Sequence, residues 1–321
     1  MAITDGTVGK RAYLRGIELR WATLSLAVGI ALLVVKLVAY FLTGSQAIFS
    51  DALENVANVV TAAFAVYSIR LAHEPADVDH PYGHGKVEFF SAGLEGVMVL
   101  LASALIIGKV ASSYLLHGRA TVVNLNLGLT LMAIALVTNG ALGLSLWYRG
   151  RLNKALTLEA EGVHLIVDAL DSAVVLAAIA IIRITGWQWV DPAAALAVAA
   201  YIAYTGVKLV KRSAAGLMDQ QAPEDRRRLQ QILDSHIGPT GKDPHICSYH
   251  KLRYRHSGRN YWVDFHIMVP AWWNIDQGHR VASAIEHEIE LALGEANATA
   301  HVEPCADENC ADCKSEKAAA R

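Results

Sequence analysis

Apolar residues fill the first two thirds of the chain in blocks, each near the roughly 20 residues that a bilayer-spanning helix needs. The blocks run at about 21–43, 46–71, 88–116, 125–148, 157–183 and 189–211. Turn signals divide them: Thr43-Gly44-Ser45, the loop from His73 to Lys86, His117-Gly118, Arg149 to Lys154, and Gly186 with Pro192. The pattern predicts an α-helical membrane protein with six transmembrane helices. After about Ala214 the pattern changes. Residues 223–237 open with a proline and acids and continue as an amphipathic helix. Residues 247–256 and 260–269 alternate as strands, with Tyr261, Val263, Phe265 and Ile267 predicted to face a core. A second amphipathic helix is expected over 277–294 and a short last strand over 298–302. The order αββαβ predicts a small α+β domain with helices on one face of a sheet.

Composition agrees with a membrane protein: hydrophobic residues make up 54% and charged residues 18% of the 321. The net charge of −2 points to no particular partner, and no segment has the basic footprint of a nucleic-acid binder. The polar, basic start and the long first apolar block argue for a retained span rather than a cleaved leader. Lys10, Arg11, Arg15 and Arg20 precede the first span, and Arg70, Lys86, Arg149, Arg151, Lys154, Lys208, Lys211 and Arg212 fall on the same side. Arg119 and Arg183 are almost alone opposite. The positive-inside rule then places both termini in the cytoplasm. All four cysteines follow residue 246, as expected of a reducing compartment.

Two spans carry ligand-type residues four apart, Asp51 with Asn55 and His164 with Asp168. Residues at i and i+4 share a helix face, so each pair projects its donor atoms one way. Ionisable groups in a bilayer are costly and rare unless function needs them. Two carboxylates, an imidazole and an amide oxygen form a credible shell for a divalent transition metal. Asn58 and Asp171 continue the two stripes as accessory candidates. Glu54 joins this site or faces another helix, and Glu95 and Asn139 read as packing or hydration groups. The bland alternative is a set of interhelical hydrogen bonds. No nucleophile–base arrangement appears, so the chain is read as no enzyme.

The motifs TGSQAIFSDALEN (43–55), HEPADVDHPYGHGKVE (73–88) and HLIVD (164–168) resemble the cation diffusion facilitator family of divalent metal/proton antiporters, over roughly residues 15–305. The likeness is to bacterial zinc and iron efflux members. It implies a cytoplasmic ferredoxin-like C-terminal domain, a homodimer in the inner membrane, and transport ligands at Asp51, Asn55, His164 and Asp168. Bacterial zinc exporters of the family usually carry a carboxylate where Asn55 stands, so this chain is one charge short. The resemblance also implies a loop metal site at Asp77, His80 and His84 and a salt bridge between Lys86 and Asp219. It implies a third, cytoplasmic metal site at His250, His266, His279, His301 and Glu303. The domains expected are a cytoplasmic segment 1–20, a transport domain 21–212, a metal-binding and dimerisation domain 213–304, and a flexible tail 305–321. Tail cysteines Cys305, Cys310 and Cys313 either collect a soft metal or stay a reduced terminus. His245, His256 and His287 fit no pattern and are read as solvated.

The expected activity is efflux of a divalent cation, Zn²⁺ first, in exchange for protons. Bound ions would also serve structural or regulatory sites. The alternatives are Fe²⁺, Mn²⁺ or Co²⁺ as main cargo, or a membrane-bound sensor that does not transport.

Overall fold

The computed structural model describes residues 4–43, 46–116, 125–187, 189–307, 310–311 and 313–314; for Asp51 and Glu54 only the backbone is described. Two compact units divide at Leu217/Met218. The first contains six helices: α1 (Thr4–Thr43), α2 (Gln46–Ala72), α3 (Val87–Leu116), α4 (Leu125–Leu152), α5 (Leu156–Thr185) and α6 (Val190–Leu217). Among the described residues, four of them hold a continuous apolar stretch of spanning length: Arg15–Phe41, Asn55–Ala72, Val87–Ser112 and Pro192–Leu217. At 1.5 Å per residue, α4 with 28 residues and α5 with 30 also exceed a ~30 Å hydrocarbon core. The structure differs from expectation at both ends of this unit. Helix α1 begins at Thr4, so the basic N-terminal segment extends the first helix, and α6 continues beyond residue 212.

Large apolar side chains such as Val34, Phe41, Val60, Leu105, Val137 and Ile184 stand exposed on these helices. In water that much exposed apolar surface would be a liability, whereas lipid is its natural solvent. The helices pack chiefly as α4 with α5, α3 with α6 and α1 with α2. Small residues permit the first two pairings. A Cβ on Gly162 would come within 2.8 Å of the Gly143 carbonyl oxygen, and one on Gly206 within 3.0 Å of the Gly96 carbonyl oxygen. Such approach brings polar groups of neighbouring helices within reach of each other.

The second unit contains α7 (Pro223–Ser235), β1 (Ser248–Ser257), β2 (Asn260–Pro270), α8 (Ile275–Leu293) and β3 (Ala296–Cys305). The sheet order is β1-β2-β3, antiparallel between the first two strands and parallel between the last two. Tyr261, Val263, Phe265 and Ile267 alternate inward as expected and meet Leu229, Leu233, Ile285 and Ile289 of the two helices. Helix α8 starts at a capping box, in which Asn274 accepts from the Gln277 backbone and Gln277 reaches back to the Asn274 N–H. The last strand is longer than the expected 298–302. The tail after it is not wholly free: Cys310 and Cys313 return to the sheet end, where Cys247 and Cys305 lie.

Candidate metal centre

On α5, Glu161, His164, Asp168 and Asp171 are offset by three, seven and ten residues, which confines them to about 80° of helix surface. On α2, Asn55 and Asn58 share a face. His164 is 4% exposed, Asn55 7% and Glu95 1%, so this polar group lies inside the helix bundle. The Asn58 amide bridges the two α5 residues. Its Nδ2 donates to Asp168 Oδ2 at 2.8 Å, and its Oδ1 lies 3.0 Å from His164 Nε2. A carboxylate only accepts, so the amide nitrogen faces Asp168 and the amide oxygen takes the His164 Nε2 proton. His164 Nε2 also stands 3.7 Å from Asp168 Oδ2.

The other ring nitrogen faces a residue that sequence reasoning set aside. Glu95 Oε2 lies 3.3 Å from His164 Nδ1, close but not aligned as a hydrogen bond. Glu95 is therefore a neighbour of the site, not a packing group. Its carboxylate stands against that of Glu161, which accepts from Ser25 Oγ at 2.7 Å. Asn139 is buried on α4.

Asn55 is engaged differently from expectation. Lys36 of α1, itself 7% exposed, donates from Nζ to Asn55 Oδ1 at 3.0 Å, and its charge also reaches Asp168. Lys36 is the one charged residue in the block 21–43, a signal that should have flagged it. The side chains of Asp51 and Glu54 lie outside the described residues. Asp171 is half-buried on the same α5 stripe.

In the loop between α2 and α3, Asp77, His80 and His84 offer ligand atoms within 4.8 Å of one another. His80 N–H donates to Asp77 Oδ1 at 2.6 Å, and His84 Nε2 lies 3.4 Å from Asp77 Oδ2. The backbone hydrogen bond from His80, followed by the two imidazoles, holds the Asp77 carboxyl below the usual carboxylate range. Glu88, at the start of α3, accepts the backbone N–H of Leu156 at 2.9 Å and so caps α5. Lys86 belongs to this unit and Asp219 to the other.

The sheet of the second unit lines up a further group. Pairing places His250 opposite His266 and His266 opposite His301, one histidine from each strand in a row. Glu303, two residues along β3, bridges them, with 2.7 Å to His266 Nδ1, 3.1 Å to His250 Nε2 and 3.9 Å to His301 Nε2. Hydrogen bonding from His266 and the nearby imidazoles keep the Glu303 carboxyl below its ordinary range. His250, His266 and Glu303 present ligand atoms within 4.8 Å of one another. His279 stands exposed on α8 outside that trio. His256 is packed against Tyr261 and 3.5 Å from Asp225, not solvated as expected.

Comparison with known proteins adds what geometry alone does not. The description "Cation efflux transmembrane domain" matches residues 22–218, and "Cation efflux protein, cytoplasmic domain" matches residues 224–305. The chain is 37% identical over 287 residues to the uncharacterized transporter sll1263 of Synechocystis sp., covering 89% of this chain and 90% of that protein. It is 27% identical over 280 residues to the cation-efflux pump FieF of Shewanella oneidensis, covering 87% and 92%. A solved structure, the Zn form of CzrB, aligns over 28% of this chain and 94% of its own at 25% identity, with a TM-score of 0.25. An intramembrane cluster of histidine, carboxylate and amide groups thus sits in a chain matched along both its parts. The chain belongs to the cation efflux (cation diffusion facilitator) family and is a membrane transporter with a cytoplasmic C-terminal domain, not an enzyme.

Proposed function

We propose that this protein exports a divalent transition-metal cation, Zn²⁺ first, across the bacterial inner membrane in exchange for protons. The observation that carries the reading is the part-buried His164–Asn58–Asp168 chain between α5 and α2, inside a member of the cation efflux family. The proposed transport ligands are Asp51, Asn55, His164 and Asp168, with Asn58 and Asp171 as accessory groups.

The geometry supplies a route for coupling. Without an ion, the Asn58 amide satisfies both His164 and Asp168. A metal ion at His164 Nε2 takes the place of the proton on that nitrogen of the imidazolium; that proton leaves the site, while Nδ1 keeps its own. Nδ1 faces Glu95, the arrangement in which a ligating histidine donates its second N–H to a carboxylate. Metal in means protons out, and returning protons expel the metal on the far side. The inward proton gradient favours release outside. Lys36 adds a positive charge beside Asn55, where zinc exporters of the family commonly carry a negative one. A neutral amide oxygen in place of a carboxylate weakens the electrostatic hold on zinc, and Fe²⁺, Mn²⁺ or Co²⁺ is the alternative cargo.

Around this centre we place supporting ions at Asp77, His80 and His84 in the loop, and at His250, His266 and Glu303 with His301 on the sheet. Both termini are cytoplasmic in this reading, and two chains associate through the cytoplasmic domain. The test is purified protein in liposomes with an imposed pH gradient and a panel of divalent ions. Flux of at least one ion, abolished by His164→Ala and by Asp168→Ala, is expected. Saturable binding without flux would assign a sensor instead.

A further inference from the structure

We propose that Cys247, Cys305, Cys310 and Cys313 together form a tetrathiolate site that takes one soft or borderline divalent cation of the Zn²⁺ class. The site lies within the cytoplasmic unit and is separate from the histidine row on the sheet. It does not depend on which ion crosses the membrane.

The fold explains how four cysteines distant in sequence meet. Strand β1 runs antiparallel to β2, so the residue before β1 lies beside the end of β2, and Cys247 N–H donates to the Met268 carbonyl at 2.8 Å. Strand β3 runs parallel to β2, so its last residue, Cys305, reaches the same end and pairs with Pro270. Cys310 N–H donates to Asp307 O at 3.1 Å and Lys314 N–H to Cys310 O at 3.1 Å. The second bond spans i to i+4, one helical turn that sets Cys310 and Cys313 on the same side.

All four sulfurs lie within 4.8 Å of one another, with Cys247 Sγ and Cys313 Sγ 3.5 Å apart. A tetrahedron of thiolates about 2.3 Å from zinc has sulfur–sulfur edges of about 3.8 Å. The observed spacing brackets that value and is far from the ~2.05 Å of a disulfide. None of the four is in a disulfide, as a reducing cytoplasm requires.

The donor set also fixes the class of ion. Sulfur alone selects Zn²⁺, Cd²⁺ or Fe²⁺ over Mg²⁺, Ca²⁺ or Mn²⁺, which prefer oxygen. Four protein ligands leave no open coordination position, the mark of a structural centre and not of a transport or catalytic one. A bound ion would clip the tail to the start of β1 and the end of β3. Sequence spacing of the last three cysteines lacked the fourth ligand, and only the strand order supplies Cys247.

The test uses the full-length protein, purified under reducing conditions and loaded with Co²⁺ in place of zinc. Wild type should show a thiolate-to-cobalt charge-transfer band and the intense visible bands of a tetrahedral centre. Cys310→Ser and Cys313→Ser should lose them, while the His266→Ala protein keeps them. As a check free of any variant, zinc should protect the four thiols of the wild-type protein from a thiol reagent, and chelation should restore their reactivity. A cobalt spectrum without thiolate bands, thiols equally reactive with and without zinc, or a Cys247–Cys313 disulfide in the reduced preparation would each overturn the proposal.

Discussion

Lys36 is the residue that most changes the electrostatics of the membrane site. Its ammonium is held 3.0 Å from Asn55 Oδ1, so a divalent ion bound at Asn55 must enter against a positive neighbour. Two charges at such separation interact by several kcal/mol even at an effective dielectric of about 20. Lys36→Met is therefore expected to raise the apparent metal affinity by about tenfold or more, a change of ~1.4 kcal/mol, read as the half-saturating ion concentration for flux. An unchanged value would show that Lys36 swings clear of the site during transport. A second residue-scale expectation concerns acid stability. The Glu288 carboxyl sits below its ordinary range chiefly through the hydrogen bond from Lys242, with His236 adding to it and burial opposing. A depressed carboxylate stabilises the fold above its unfolded value of about 4.3 and loses that contribution as pH falls through the lower, folded value. Glu288→Gln should lower the unfolding temperature at neutral pH and leave it unchanged well below pH ~4, in scans across acidic buffers. Because Lys242 is more than half exposed to solvent, the loss should stay within about 1 kcal/mol.

At the scale of elements, the close packing of α4 on α5 sets where His164 stands. A Cβ at Gly162 would meet the Trp147 Cα at 2.8 Å, which is backbone and cannot give way. Gly162→Ala should push the two helices apart and cut transport severalfold while the protein still inserts, measured as flux per folded protein. Much of this architecture was legible beforehand. Block lengths located α2 to α5 to within a few residues but missed the start of α1 at Thr4 and the end of α6 at Leu217, and alternation placed Tyr261, Val263, Phe265 and Ile267 in the core. What escaped was contact between elements. The i, i+4 spacing could pair His164 with Asp168 on one helix, but it could not reveal that Asn58 bridges them or that Glu95 and Lys36 arrive from other helices. Glu161 was readable in principle, being three residues before His164 on the same stripe. Cys247 was not, because its partnership depends on strand order and direction.

Over the whole molecule, the membrane unit carries the proposed exchange site and the cytoplasmic unit carries ligand groups of two kinds. One is the borderline set of imidazoles with Glu303, the other an all-sulfur set. Association through the cytoplasmic domain predicts that the detergent-solubilised protein has the mass of two chains by light scattering. A monomer that still transports would detach the dimer from the mechanism. The central claim is that metal and protons trade places at His164 and Asp168. It is tested most directly by following internal pH in proteoliposomes as external Zn²⁺, Fe²⁺, Mn²⁺ or Co²⁺ is added. Wild type should show metal entering as protons leave, with both movements lost in Asp168→Asn. Metal entry with no accompanying pH change, or exchange that survives Asp168→Asn, would contradict the account.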